Sequence, residues 1–332
     1  MQPVLFNLGF LAQVVTSTQS TLHPGGPAAR TISHLSWVVY GTFSVVAVVM
    51  WILLAWVAIR KKGSLAEHEP VDVGGGHGWI LIGGFAIPFV ILSFMFVFGL
   101  EAMQAFPLKP DSQSSPEIQL IGHQWWWEVK YIGSSPYLNF NTANEIHIPA
   151  GRTVDIELKS ADVIHSFWVP TLHGKEDLLP GQPNHIRIRA DQPGMFQGQC
   201  AEFCGAQHAH MRIVVVAQQP EDFEAWAAQQ RTTAAVPTTS QQSRGQQLFL
   251  QGPCSMCHTI HGTVAGGGVA PDLTHIASRM GLAANTLEND TANLAAWITH
   301  AQSLKPGSQM PDITQYTGSD LLALVAYLQS LR

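Results

Sequence analysis

The chain has 332 residues, 46% hydrophobic and only 12% charged, which is length for two or three domains and a composition that puts part of it in lipid. A net charge of −6 without a run of like charge supplies no basic field for nucleic acid. Its four cysteines sit at Cys200-x3-Cys204 and Cys254-x2-Cys257, spacings too local to staple a fold with disulfides.

The first stretch, MQPVLFNLGFLAQVV, is apolar but lacks a basic leader, and it reads equally as a signal-peptide remnant or a membrane-surface segment. Leu35 to Ile59 then runs 25 residues without a charge, and Gly78 to Leu100 a further 23. Each exceeds the roughly 20 residues that span a bilayer's hydrocarbon, and two such runs argue against buried soluble helices. Trp37, Trp56 and Trp79 lie near the ends of the runs, as interfacial anchors do, and Pro88 is tolerable inside a membrane helix. Arg60, Lys61 and Lys62 follow the first span, whereas Arg30 and Lys109 are the only bases near the outer ends, so the connecting loop is expected to be cytoplasmic and both termini outside.

From about Glu117 to Ala217 the pattern changes. EIHIP, TVDIELKS, HIRIRA and RIVVVA alternate or run apolar, separated by PAGR, PGQPN and DQPG, which predicts a small all-β sandwich or barrel. HQWWWE reads as strand. QQPEDFEAWAAQQ predicts a short helix, and RTTAAVPTTSQQS a polar linker, slack by composition. The last module of about 90 residues closes on SDLLALVAYLQSLR, a helix expected to be capped by Ser319 with Leu322, Val325, Ala326 and Leu328 at helical spacing. The chain divides into an outer segment 1–33, a membrane hairpin 34–103, a β domain 104–230, a linker 231–242 and a C-terminal domain 243–332.

CSMCH is a Cys-x-x-Cys-His motif, in which Cys254 and Cys257 would form thioethers to a haem and His258 would bind its iron. A thioredoxin-like redox pair would need a βαβ surround that these residues do not suggest. The module resembles a class I cytochrome c, with SRGQQLFLQG before the motif, GGGVAPDLT after it, a methionine in KPGSQMP, and a closing helix. By that resemblance Met310 is the sixth iron ligand, ahead of Met280, His261, His275 and His300, and the Pro271 carbonyl holds the outer nitrogen of His258. Met/His ligation suits electron transfer rather than oxygen chemistry. Met256, inside the motif, is expected to pack.

CAEFCGAQHAHM sets two thiolates four positions apart, His208 four beyond and Met211 three after that, a soft S/N set suited to copper. Two bridging thiolates can hold a copper pair sharing one electron, with His165 of DVIHSFWVP as a second imidazole. Mononuclear blue copper needs only one cysteine, and structural zinc has little use for the methionine. His210 is expected to be exposed.

Together with the two spans, GHQWWWEVKY, DVIHSFWVP, GKEDLLPGQPN and QGQCAEFCGAQHAHM resemble subunit II of the haem-copper cytochrome c oxidases, over about residues 30 to 332. The C-terminal module makes it similar to the bacterial caa-type branch with a fused cytochrome c. The resemblance implies a multidomain membrane protein with a two-helix transmembrane hairpin, an all-β cupredoxin-like Greek-key domain and an all-α class I cytochrome c domain. It implies a dinuclear CuA centre on His165, Cys200, the Glu202 carbonyl, Cys204, His208 and Met211. It further implies a magnesium or manganese ion at the Glu202 carboxylate, shared with subunit I, and electron input at Trp125. Trp126 stands where many relatives have tyrosine; it and Trp127 read as core packing. A carboxylate that relatives often carry at the start of the second span is absent from VDVGGGHGW, where His77 is nearest and Asp72 and Glu69 lie further out, so no proton role is assigned.

The implied function is relay of electrons from an external donor, cytochrome c or a bc-type complex, through haem c and CuA to subunit I, with subunit III alongside, in a bacterial plasma membrane. There dioxygen becomes water and protons are pumped. Tethering would raise the effective concentration of the haem module at the copper face. A nitric oxide reductase shares the subunit plan, and a membrane-anchored carrier without a catalytic partner is the rival of a different class. A quinol oxidase would have dispensed with the copper ligands.

Overall fold

A computed structural model describes residues 19–60, 76–106, 108–109 and 117–332. Lys61 and Lys62, on which the orientation expectation rests, lie outside the described residues, as do Glu69, Asp72 and the first 18 residues. The chain divides into two compact units, residues 30–107 and residues 1–29 with 108–332.

Helices α1 (Pro27–Ile59) and α2 (Gly76–Met103) are each long and apolar enough to cross a membrane, and neither buries its most hydrophobic stretch within the protein. α1 begins ahead of the expected Leu35, because Pro27 is preset for a first helical turn and nothing in the residues after it breaks a helix. In α2 the residues Ile82–Ala86 form a widened turn, in which the Ile87 N–H reaches back to the Ile82 carbonyl. That turn precedes Pro88, which has no N–H to give, and the helix continues through it.

The β domain comprises β1 (Glu117–His123), β2 (Trp126–Ile132), β3 (Phe140–Ala143), β4 (Glu145–Pro149), β5 (Val154–Ser160), β6 (His165–Trp168), β7 (Glu176–Leu178), β8 (Asn184–Ile188), β9 (Gly194–Cys200) and β10 (Arg212–Gln218). They make two five-stranded sheets, β3-β2-β1-β5-β8 and β4-β10-β9-β6-β7, stacked as a cupredoxin-like sandwich. Alternation decides the faces: Val154, Ile156 and Leu158 of β5 are buried, while Asp155, Glu157 and Lys159 between them are not. β4 is buried along its whole length, because helix α3 (Pro220–Gln230) covers it and stacks Trp226 on His147 at 3.9 Å between ring centres.

HQWWWE is not continuous strand. β1 ends at His123 and β2 starts at Trp126, so Gln124 and Trp125 form the hairpin turn. Trp127 points into the core, fully buried, and Trp126 stacks outward on His123 at 4.4 Å.

The C-terminal domain packs α4 (Ser240–Gln251), α5 (Cys254–Cys257), α6 (Thr291–Leu304) and α7 (Gly318–Leu328), with a two-residue-stranded hairpin, β11 (Gly281–Leu282) and β12 (Leu287–Glu288). Where α4 crosses α7, a Cβ on Gly245 would stand 2.0 Å from the Ala323 carbonyl oxygen, so only glycine lets the helices approach this closely. The crossing fixes which face of α7 is inward: Ala323, Leu324, Val325, Tyr327 and Leu328 are buried, whereas the expected Leu322 is exposed. Ser319 is not the cap. Thr317 holds that position, without a side-chain bond.

The linker is laid along this domain rather than left slack. Ala234 N donates to the His261 carbonyl at 2.9 Å, and the His275 ring meets the Thr232 carbonyl at 3.2 Å. Its last residues are already helical, opened by a capping box between Thr239 and Gln242. The tip of the β11–β12 hairpin, Ala283, Ala284 and Asn285, has left-handed backbone at φ 53°, 60° and 57°, uncommon for residues with side chains. This tip is seated on the β domain, where Asn285 Nδ2 donates to the Asn144 carbonyl at 2.9 Å and Arg212 N to the Ala284 carbonyl at 3.3 Å.

Candidate metal centres

The β9–β10 loop starts at Cys200 and ends at Met211, and both thiols are free and buried. Their sulfurs are 3.7 Å apart, far from the ~2.05 Å of a disulfide. Each thiol has its own imidazole and its own weak donor. Around Cys200 Sγ stand His165 Nδ1 at 3.9 Å and the Glu202 carbonyl at 3.2 Å. Around Cys204 Sγ stand His208 Nδ1 at 3.6 Å and Met211 Sδ at 3.9 Å. The thiol of Cys204, with His165, pushes the Cys200 thiol well below its ordinary range against the opposing effect of burial. Cys204 moves the other way, because its hydrogen bond with Cys200 holds the proton, and burial and repulsion between two thiolates add to it. Cations between the sulfurs would let both ionise, so the donor set fits two soft metal ions sharing two thiolates. A single zinc or blue-copper ion would leave donors over.

His165 is fully buried at the start of β6, where a Cβ on Gly122 of β1, in the facing sheet, would come within 2.7 Å of its ring. Its Nε2 bonds Asp162 Oδ1 at 2.8 Å, which leaves Nδ1 as the free donor toward Cys200. Asp162 also accepts the Gln124 and Val163 amides, each at 2.7 Å. It went unnoticed in the sequence, although its place three residues before the histidine was a usable signal. Asp162→Ala is expected to weaken copper binding by about 10–100-fold in a competition titration, with Asp162→Asn losing less.

Trp125 abuts the same loop, its Nε1 donating to the Cys204 carbonyl at 2.9 Å, alongside Gln124 Nε2 at 2.7 Å. His208 is half-buried and His210 exposed. The Glu202 carboxylate lies 3.7 Å from Lys175 Nζ.

In the C-terminal domain Cys254 and Cys257 sit at the two ends of the single turn α5, both half-buried and unbonded. His258 Nδ1 donates to the Pro271 carbonyl at 2.7 Å. Burial lowers the pKa of this imidazole, keeping the ring neutral with Nε2 open to a metal. Arg279 is buried, and among the described residues its Nε has no partner, an atom suited to an anionic group such as a haem propionate. Met310 and Cys254 pack against one core cluster. The rival sixth ligands are otherwise engaged or placed: His275 with Thr232 and Arg332, His261 with Asp272, His300 with Thr299, and Met280 beside Glu145 of the β domain. Met256 is 71% exposed and does not pack, because its turn faces away from the core.

The His261–Asp272 pair, Nε2 to Oδ2 at 3.0 Å, gives a pH dependence. Its bond to Asp272 raises the His261 pKa; burial works against the Asp272 charge, but bonds from His261 and Thr274 win and lower that pKa. The pair therefore stabilises most between pH 3.8 and 6.5, the ordinary values of the two groups. The contribution fades as pH rises through the raised histidine pKa or falls through the lowered carboxylate pKa. The difference in urea midpoint between the native chain and His261→Gln should follow that window, modestly, since the His261 side chain is 55% exposed.

A copper-type thiolate pair and a haem-type motif on one membrane-anchored chain define a two-centre electron-transfer protein of the cupredoxin class. Residues 133–218 match the family "Cytochrome C oxidase subunit II, periplasmic domain", and residues 242–332 match "Cytochrome c". Cytochrome c oxidase subunit 2 of Alkalihalophilus pseudofirmus is 35% identical over 94% of this chain and 91% of its own length. That of Bacillus subtilis is 26% identical over 94% and 92%. The crystal structure of the periplasmic domain of subunit II (CoxB) of Bradyrhizobium japonicum is 28% identical, covering 36% of this chain and 97% of its own, with a TM-score of 0.33. The chain belongs to the cytochrome c oxidase subunit II family. Its domains imply copper CuA and haem c, and its membership implies association with subunit I of a haem-copper oxidase and a membrane anchor for periplasmic domains.

Proposed function

We propose that this chain takes electrons from a donor on the outer face of a bacterial plasma membrane and delivers them to subunit I, where dioxygen is reduced to water and protons are pumped. The donor is a soluble cytochrome c or a bc-type complex, and subunit III completes the assembly. His165, Cys200, the Glu202 carbonyl, Cys204, His208 and Met211 would hold CuA. Cys254, Cys257, His258 and Met310 would hold haem c. When bound, these groups supply one-electron carriers that change their bonding little between redox states.

The observation that carries the reading is the doubled donor set, two buried thiols 3.7 Å apart, each with one imidazole and one weak donor. The chain's own residues do the rest. Asp162 and the Pro271 carbonyl hold the protons on the outer nitrogens of His165 and His258. Phe167 and Met211, fully buried, keep water from the copper loop. Trp125, bonded to the Cys204 carbonyl, serves electron input to the copper loop. The Glu202 carboxylate is the candidate ligand for a magnesium or manganese ion shared with subunit I. Metal analysis with low-temperature electron paramagnetic resonance tests the reading. Two coppers per haem, sharing one unpaired electron, is the expected result, and one copper with a single-nucleus pattern overturns it.

A further inference from the structure

We propose that Lys305 is an interdomain clamp, holding the loop that bears Met310 against Trp125 so that electrons cross between the two centres within a fixed complex. Lys305 follows α6 and is only 2% exposed. Its Nζ donates to the carbonyls of Trp125 at 2.8 Å, His210 at 2.8 Å and Ala283 at 2.9 Å. An ammonium has three N–H donors, and all are used. Two acceptors belong to the copper domain and one to the haem domain, so the site exists only while the domains are together.

Among the described residues no carboxylate pairs with this cation. Burial pushes its pKa down to about 7, against the opposing pull of the nearby Cys204 sulfur. A compact ammonium suits acceptors converging on one point, which the planar fork of arginine cannot reproduce. The loop beyond the lysine continues the contact. Gln207 Nε2 donates to the Pro306 carbonyl at 2.8 Å, and a Cβ on Gly307 would lie 3.7 Å from the Trp125 ring. Trp125 is thus covered by the haem domain's own methionine loop, and an external donor must approach the haem domain at another face.

The clamp rests on the ligand assignments above only for the electrons it serves, and the first test needs no metal. An amine-acylating reagent at pH 8 is applied to the full-length protein in detergent, and Lys305 is compared with Lys175, whose side chain is 54% exposed. Lys305 should label at least tenfold more slowly. Protonation cannot produce that result, since a low pKa would make an accessible amine faster. Labelling as fast as Lys175 overturns the proposal.

The second test uses Lys305→Met in the loaded protein, with Gln207→Ala as a milder change. Haem and copper spectra should be retained in both. In Lys305→Met, amide exchange over residues 207–211 and 283–286 should rise, and haem-to-copper transfer after photoreduction should slow, each about tenfold. Unchanged exchange and rate in that variant overturn the clamp. If the variant fails to fold, the labelling result on the native chain decides. Failure of the native chain to bind copper would count against the ligand assignment and leave the labelling result standing.

Discussion

Cys204→Ser is expected to abolish the paired copper centre while leaving the sandwich folded. Cys204 Sγ lies 3.7 Å from Cys200, 3.6 Å from His208 and 3.9 Å from Met211, so one substitution removes the atom common to most of the donor set. A serine hydroxyl is a hard donor that stays protonated, and it cannot bridge soft ions as a thiolate does. The affinity loss should exceed the roughly 10–100-fold that follows loss of an outer-shell partner. Copper content should fall from two per chain to one or none, with the delocalised resonance pattern gone. The fold survives because the residue sits on a loop and the change is nearly isosteric; the cost of one buried hydroxyl is about 1–3 kcal/mol. Two coppers retained in the variant would mean that Cys204 does not bridge.

The second large effect falls on the haem domain, and its sign is the test. Gly245 lies in the middle of α4, where propensity alone makes Gly→Ala stabilising by about 1 kcal/mol. The crossing with α7 says the reverse. The added Cβ would meet the Ala323 carbonyl oxygen at 2.0 Å and the carbonyl carbon at 2.6 Å, both backbone atoms that cannot swing aside. Opening the crossing would disturb the buried Ala323, Leu324, Val325, Tyr327 and Leu328 and the contact between Phe249 and Tyr327, whose rings are 6.1 Å apart. Overpacking of this kind costs about 1–3 kcal/mol and occasionally more, so after the propensity gain of about 1 kcal/mol Gly245→Ala should destabilise the domain by about 1 kcal/mol net. Urea unfolding followed by haem absorbance measures it. A raised midpoint would show that the helices part readily.

The features most legible in the sequence are those written in consecutive residues. CAEFCGAQHAHM carries most of the proposed copper ligands between two strands, and CSMCH carries the proposed haem attachments in five positions. β5 is likewise visible as Val154, Ile156 and Leu158 alternating with charges. What was hidden depends on partners distant in the chain. The inward face of α7 is chosen by Gly245, 78 residues before Ala323, and no periodicity within the helix separates Leu322 from Leu324. The turn at Trp125 is masked because three tryptophans suit a strand better than a bend. Lys305 looks like a solvated lysine in KPGSQMP, since two of its three acceptors are backbone carbonyls of another domain. The linker's Thr and Gln content suggested slack, but Thr232 and Ala234 bond the haem domain through backbone atoms that any residue carries.

The widened turn at Ile82–Ala86 has a consequence for whatever lies beside α2. One extra residue within a turn shifts the phase of everything after it, by about 100° around the axis. Residues before and after the turn therefore do not continue a single stripe, and Trp79 and Val90, both exposed, belong to separately phased faces. A neighbouring helix that follows α2 along its length must change its own register at that depth. Deleting one residue from IGGFA would bring the two halves into one phase and rotate half of the helix away from its neighbour.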